Sequence, residues 1–134
     1  MPIEPERFPI RCGEDVVKAR QAVRSRVMDL GFSLVEQTKI VTAASELARN
    51  TLTHGGGGEM RMERLFSSPK SVGLRLTFED QGPGIADIEL AMRDGYTTGN
   101  GLGLGLSGAR KLSHEFEIQS QPGVGTRVTI TRWK

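Results

Sequence analysis

Three polar residues recur at intervals of four in one stretch of the sequence: Glu46, Asn50 and His54. At 100° per residue this spacing places them in one stripe along the border of a helix whose apolar arc includes Ile40 and Leu47. A carboxylate there can act as a general base on a hydroxyl group, and an amide oxygen is a ligand suited to Mg²⁺. The alternative is a solvated helix border, and His54 is typical of a helix C-terminus.

A second candidate for chemistry is the carboxylate of Asp80. Apolar residues occupy every second position from 72 to 78, and Asp80 continues the same parity. A carboxylate on a buried face needs an Arg, backbone amides or a ligand with N–H groups, because an unpaired charge there is costly. A turn-capping role is the alternative, since Gln-Gly-Pro-Gly follows. Gly82 and Gly84 favour a ligand, because they let the backbone approach another molecule closely.

A glycine-rich loop, Gly-Asn-Gly-Leu-Gly-Leu-Gly-Leu at 99–106, precedes a predicted helix. Successive backbone N–H groups at a helix start form an anion site suited to phosphates. Gly103, Gly105 and Gly108 match the dinucleotide-binding spacing, but no predicted strand precedes them and no acid follows at the required distance. Without Gly-Lys-Ser/Thr there is no Walker A loop, and neither the protein-kinase motif set nor a nucleophile elbow fits.

The composition predicts one globular domain over residues 1–134. The chain has 18 Lys plus Arg against 16 Asp plus Glu, a formal net charge of +2 and one Cys. A chain of this length needs no disulfides or structural metal to hold a core, and one Cys excludes a disulfide framework. Interleaved charges argue against a nucleic-acid partner. We expect a cytoplasmic protein without membrane contact, because no segment resembles a signal peptide or a bilayer span.

Hydrophobic periodicity predicts the elements that must position these residues. A strand is expected around 8–12, and a helix from Asp15 to Leu30 with Gly31 as its C-terminal stop. A second helix begins at a capping box of Ser33 and Glu36 and ends at His54. Period-two patterns predict a hairpin, with strands around 60–62 and 72–78, and two closing strands joined at Pro122-Gly123. Short helices are expected at 87–93 and 106–112. The fold class is α+β: a two-layer α/β sandwich, with helices on one face of a mixed, mostly antiparallel sheet.

Taken together, three motifs resemble the nucleotide-binding boxes of the Bergerat-fold (GHKL) ATPases. The motifs are Glu46-Leu47-Ala48-Arg49-Asn50 on a helix, Asp80-Gln81-Gly82-Pro83-Gly84-Ile85 after a strand, and Gly101-Leu102-Gly103-Leu104-Gly105-Leu106 before a helix. They follow the order of the superfamily, which includes gyrase B, Hsp90, MutL, sensor histidine kinases and anti-sigma-factor kinases. The resemblance extends over nearly the whole chain and implies the Bergerat ATP-binding fold.

The resemblance also implies a role for each motif, with ATP and Mg²⁺ as cofactors. Asp80 would accept the adenine amino group, Asn50 would hold Mg²⁺, and Glu46 would be the general base. The remaining nucleotide-binding residues would be Gly82, Gly84, Ile85, Gly101, Leu102, Gly103, Leu104, Gly105, Leu106 and Thr126, the last of which supports the aspartate. A short ATP lid would lie between Gly84 and Gly101, with Thr97, Thr98 and Asn100 as candidates for phosphate contact.

Within the superfamily the sequence is most similar to the RsbT-type serine/threonine kinases of the bacterial stressosome. The motifs that carry this similarity are Ser-Glu-Leu-Ala-Arg-Asn, Gln-Gly-Pro-Gly-Ile and Asp-Gly-Tyr-Thr-Thr. The similarity implies phosphorylation of a STAS-domain partner and binding of a downstream phosphatase. The alternative is an anti-sigma factor of the RsbW or SpoIIAB type, which binds ATP and sequesters a sigma factor or another partner; Asn-Thr-Leu-Thr-His-Gly is similar to the helix end of that family.

Overall fold

The computed structural model describes residues 5–68, 71–92 and 105–134. The elements in chain order are β1 (Glu6–Ile10), α1 (Gly13–Asp29), α2 (Leu34–Thr53), β2 (Gly58–Ser68), β3 (Ser71–Asp80), α3 (Ile88–Ala91), α4 (Gly105–Lys111), β4 (Glu115–Gln121) and β5 (Gly125–Trp133). The helices pack against one five-stranded sheet, which confirms the predicted α+β class.

The strands are ordered β1-β2-β3-β5-β4 across the sheet. All four pairings between the described strands are antiparallel, whereas we expected a mixed, mostly antiparallel sheet. The difference arises because tight connections join β2 to β3 and β4 to β5, and β5 then runs back beside β3. Strands β3 and β5 are therefore neighbours inside the sheet, and the C-terminal end of β3 lies beside the N-terminal end of β5.

The core lies between the sheet and the helices and follows the predicted periodicities. On the strands the buried apolar residues alternate with polar ones; they are Ile10, Met60, Met62, Leu74, Leu76, Phe78, Val128 and Ile130. Residues spaced three, four or seven apart on α1 and α2 meet them, among them Ala19, Val23, Val27, Ile40, Ala44 and Leu47. Removal of these side chains from water is the main stabilising contribution to the fold.

The face of the sheet opposite the helices carries charged residues of both signs. Arg61 Nη1 lies 3.5 Å from Glu59 Oε1 and 3.6 Å from Glu79 Oε1. Arg127 Nη1 lies 3.9 Å from Glu79 Oε2 on the next strand. The contacts of Arg61 and Arg127 with Glu79 join neighbouring strands, so opposite charges lie side by side on this surface.

The helix ends agree with the predicted signals, with small shifts of boundary. Ser33 Oγ accepts the N–H of Glu36 at 3.2 Å and caps α2. Gly31 ends the preceding helix with a φ of 80°, a left-handed conformation that favours glycine. The opening strand ends at Ile10, two residues before the predicted end, because Cys12 is already the N-cap of α1. Within the described part of the chain, none of the helices has the length and hydrophobicity needed to cross a bilayer.

Asp15, in the first turn of α1, is 4% exposed and is held by Arg11. Its Oδ2 accepts hydrogen bonds from Arg11 Nε and from the Arg11 backbone N–H, each at 2.9 Å. These hydrogen bonds, with the positive charge of the guanidinium, hold the pKa of Asp15 below its ordinary value of 3.8. The ionised form is therefore favoured in the folded protein.

We expect Asp15→Asn to lower the free energy of unfolding at neutral pH. We also expect the free energy of unfolding of this variant to fall less than that of the wild type as the pH is lowered. A carboxyl whose pKa is lower in the folded state stabilises the protein above its unfolded pKa of about 3.8, and this contribution is lost as the pH falls through the folded value. Urea unfolding at neutral pH and well below pH 3.8 measures it. Glu14→Gln is the control, because that side chain is 78% exposed. An Asp15→Asn deficit that stayed constant in acid would contradict the assignment.

Candidate functional site

Glu46 and Asn50 lie one turn apart on α2, at the border between its buried and exposed faces. Glu46 is 8% exposed, Asn50 is partly buried, and Leu47 between them belongs to the core. Arg49 Nη1 lies 3.7 Å from Glu46 Oε1. His54 is the C-cap of α2, and its N–H donates to Asn50 O at 2.9 Å, as expected for a helix-terminal residue. The helix thus presents a carboxylate and an amide side by side.

Asp80 lies at the end of β3, on the same side of the sheet as Phe78 and the helices. Its carboxylate is partly buried, and Oδ1 accepts the N–H of Gly82 at 2.9 Å. This bond to the second residue along the chain is the turn cap that the sequence offered as an alternative. Asp80 therefore both continues the buried parity of β3 and caps the turn that follows. The turn holds its carboxylate on the helix side of the sheet.

The end of α2 approaches Asp80 through glycine residues. A Cβ atom built on Gly55 would lie 2.6 Å from Asp80 Oδ2 and closer still to the Asp80 Cβ and Cγ atoms. A Cβ atom on Gly82 would lie 2.7 Å from the Gly55 Cα atom. Real Cβ atoms essentially never approach another atom within 3.0 Å. The helix end, the aspartate and the following turn are therefore in contact because neither glycine carries a side chain.

Thr126 lies directly beside Asp80 in the sheet. The register pairs Gly58 with Asp80, Asp80 with Thr126, and Thr126 with Ser120, so that four strands contribute to one row. Thr126 Oγ1 lies 2.8 Å from Ser120 Oγ. Thr126 therefore neighbours Asp80 in the register, and its hydroxyl hydrogen-bonds to Ser120 on the next strand.

Ser120 connects β4 to the loop after β3, and the sequence analysis did not single it out. Its Oγ accepts the backbone N–H of Ile85 at 2.7 Å and lies 3.2 Å from the carbonyl oxygen of Gly125. The parity of Phe116 and Ile118 in β4 extends to Ser120 and is the signal that could have found it.

A second set of contacts fastens the same loop to the turn between β4 and β5. The N–H of Gly123 donates to Pro83 O at 2.8 Å. Gly84 has a φ of 76°, and a Cβ atom there would lie 2.7 Å from the carbonyl carbon of Gln121. The glycine at 84 is therefore required both by its conformation and by the close approach of the β4 backbone.

We expect Ser120→Ala to lower the free energy of unfolding by about 1–2 kcal/mol, because it leaves the Ile85 N–H without its acceptor. Urea unfolding measures this loss, and faster amide exchange at Ile85 would locate it. Ser67→Ala, on an exposed position of β2, is the control. Equal stabilities of the two variants would show that the hydroxyl does not hold the loop.

The structure describes the glycine-rich motif from Gly105 onward. Gly105 begins α4, and Leu106 packs against the core. Gly101, Leu102, Gly103 and Leu104 lie outside the described residues, as do the lid candidates Thr97, Thr98 and Asn100.

Helix α4 packs against α2, the helix that carries Glu46 and Asn50. Gly55 at the end of α2 contacts the Asp80 turn, so α2 contacts elements from both other motifs. Among residues 5–68, 71–92 and 105–134, no three His, Cys, Asp or Glu side chains are grouped so that they could hold a metal ion.

This arrangement, in which α2 contacts both α4 and the Asp80 turn over an antiparallel sheet, is that of the Bergerat class of ATP-binding domains. The family model described as "Histidine kinase-, DNA gyrase B-, and HSP90-like ATPase" matches residues 35–134. The chain belongs to this ATPase family.

Curated relatives cover most of the chain. It is 44% identical over 119 residues to the serine/threonine-protein kinase RsbT of Bacillus subtilis, which corresponds to 89% of each protein. It is 33% identical over 126 residues to the anti-sigma F factor of Pasteuria penetrans, covering 90% of this chain and 84% of the relative. For the anti-sigma F factor of Clostridium kluyveri the identity is 31% over 117 residues, covering 85% and 82%.

Solved structures share the fold at low sequence identity. A crystal structure of the RsbU and RsbW domains of a Mycobacterium tuberculosis protein superposes with a TM-score of 0.63 at 19% identity, over 98% of this chain. The chain spans 32% of that larger structure. The mycobacterial sensor histidine kinase MprB superposes with a TM-score of 0.52 at 18% identity, over 97% of each chain. At these identities the likeness concerns the fold alone.

Proposed function

We propose that this protein is a serine/threonine protein kinase that transfers the γ-phosphate of ATP to a STAS-domain partner in a bacterial stress-signalling partner switch of the stressosome type. The observation that carries this proposal is the 44% identity with the RsbT kinase over 89% of the chain. The positions of Glu46 and Asn50 on α2, and of Asp80 at the end of β3, support it.

In this proposal the nucleotide lies between α2 and the loop after β3. Asp80 accepts the adenine amino group, with Gly82, Gly84, Ile85 and Thr126 around it. The glycines at 55 and 82 support this placement, because neither places a side chain beside the carboxylate that a flat base must reach. The loop of Gly101, Leu102, Gly103, Leu104, Gly105 and Leu106 holds the phosphates through its backbone N–H groups.

The donor set on α2 fits a magnesium ion. Asn50 offers an amide oxygen, a hard ligand, and phosphate oxygens supply the further ligands that Mg²⁺ prefers. When bound, the ion neutralises charge on the phosphate oxygens. Asn50 would hold it one turn from Glu46, so that the carboxylate and the phosphates face the same space.

Glu46 is the proposed general base. It accepts the proton of the partner's Ser or Thr hydroxyl while the hydroxyl oxygen forms its bond to the γ-phosphorus, and the bond to the leaving oxygen of ADP breaks in line. The Glu46 side chain is 11% exposed, and Arg49 Nη1 lies 3.7 Å from its Oε1.

A second candidate function is that of an anti-sigma factor, which binds ATP and sequesters a sigma factor or another partner. The observation that favours it is the 33% identity over 126 residues with an anti-sigma F factor. Both functions use the same pocket, and both place the protein in the cytoplasm. In the kinase function, a downstream phosphatase is the expected second partner.

The test is incubation of the purified protein with γ-labelled ATP, Mg²⁺ and a STAS-domain protein of the same genome. Label on a Ser or Thr of the STAS protein, absent when that residue is replaced by Ala, supports the kinase. ATP binding without transfer would overturn the kinase assignment in favour of the sequestering function. Failure to bind ATP would overturn both.

A further inference from the structure

We infer that Gly55 is a positioning residue for Asp80, and that it thereby sets the selectivity of the site for adenine over other purines. This inference rests on the proposed role of Asp80 as the group that accepts the adenine amino hydrogen. Gly55 is the first of a run of four glycines, 55–58, that follows α2.

Gly55, Gly56 and Gly57 differ in their backbone conformations, and Gly58 is the first residue of β2. Gly56 and Gly57 have φ angles of 74° and 111°, so the left-handed turn of the chain accounts for them. Gly55 is not among the residues with positive φ, and its backbone conformation is open to other residues. Its distinguishing feature is contact: a Cβ atom would lie 2.6 Å from Asp80 Oδ2, and nearer to Asp80 Cβ and Cγ.

The Asp80 side chain is therefore held on two sides. The N–H of Gly82 binds Oδ1 at 2.9 Å, and the backbone of Gly55 lies against the other side. A methyl group at position 55 cannot be accommodated by movement of a flexible chain end, because it meets the first two carbon atoms of a short side chain. The carboxylate must then rotate or shift, whereas a hydrogen bond to a base needs it in one place.

The change would act on base recognition and leave the helix intact. The N–H of Gly55 donates to the carbonyl oxygen of Asn50 at 3.3 Å, so Gly55 continues the hydrogen bonding of the helix end. Gly55 lies beyond the C-cap His54 and has no positive φ, so alanine does not oppose its backbone conformation. Gly55→Ala is thus expected to move Asp80 while Glu46 and Asn50 stay in place.

The experiment compares ATP with inosine triphosphate, in which a carbonyl oxygen replaces the amino group, by calorimetry on the full chain. We expect the wild type to prefer ATP by about tenfold or more, the usual size of a hydrogen bond to a charged group. Gly55→Ala should bind ATP at least about tenfold more weakly, bind inosine triphosphate almost as before, and so lose most of the preference.

Gly56→Ala is the matched control. It makes the same substitution in the neighbouring residue, at a φ of 74° that strains alanine, yet its Cβ atom would meet nothing within 4 Å. It should lower the unfolding temperature and keep the wild-type preference for ATP. The ratio of the affinities for ATP and inosine triphosphate is measured on the same folded molecules, so a lower yield of folded protein does not alter it. Gly55→Ser provides a second variant at the same position.

The outcomes separate the inference from the proposed function. Loss of the preference in Gly55→Ala and Gly55→Ser, with retention in Gly56→Ala, supports the inference. An unchanged preference in Gly55→Ala, or an equal loss in Gly56→Ala, overturns it while the wild type still binds ATP. A wild type that does not bind ATP overturns the proposed function, and the inference with it.

Discussion

Replacement of Glu46 by Gln is expected to reduce phosphate transfer by about a thousandfold while ATP binding stays close to that of the wild type. Glutamine preserves the size of the side chain but cannot accept the proton that leaves the partner's hydroxyl group. Initial rates of transfer from γ-labelled ATP to a STAS-domain protein, with ATP affinity from calorimetry, measure the two properties separately.

The control for this variant is Glu14→Gln, an exposed position on α1 that is expected to keep the wild-type rate. Transfer by Glu46→Gln at the wild-type rate would show that another group accepts the proton. A parallel loss of ATP affinity would instead indicate that the carboxylate, paired with Arg49 at 3.7 Å, helps to maintain the pocket.

The second large effect is expected for Asp80→Asn, which should weaken ATP binding by about 10- to 100-fold. The amide oxygen of asparagine can still accept the N–H of Gly82, so the turn after β3 is retained. The charge that strengthens a hydrogen bond from the adenine amino group is lost. Calorimetric titration with ATP measures the change, and urea unfolding checks that stability is maintained.

Asp29→Asn, an exposed carboxylate at the end of α1, serves as the control for the loss of one negative charge. Equal ATP affinity in Asp80→Asn and the wild type would reduce Asp80 to its turn-capping role. Loss of stability without loss of affinity would lead to the same conclusion.

The local elements could be predicted from the sequence because each has a repeat that burial imposes. Val23 and Val27 on α1, and Leu74 and Leu76 on β3, lie on the faces that their spacing predicts. The order of the strands could not be predicted in this way. The sequence of β5 contains no pattern from which its place between β3 and β4 could be predicted. That placement depends on contacts between distant parts of the chain.

The same distinction applies to the candidate site. The parity of β3 placed Asp80 on the helix side, and the resemblance to a known family placed Thr126 beside it. Strand parity could place Ser120 on the face of Phe116 and Ile118, but its contact with Ile85, 35 residues away, and the contact of Gly55 with Asp80 depend on the tertiary fold. The residues that would perform the proposed chemistry could thus be identified from the sequence, whereas the contacts that hold these residues in position could not.

The position of β5 has a consequence for the newly made chain. Ribosomal synthesis delivers this strand after the other four, yet it occupies an inner place in the sheet, next to Asp80. Until it emerges, β3 and β4 each lack their shared partner and expose backbone groups that can pair with other molecules. A chain in which β5 has not yet inserted is therefore more prone to aggregate, and the row that places Thr126 beside Asp80 forms only when this strand pairs with β3.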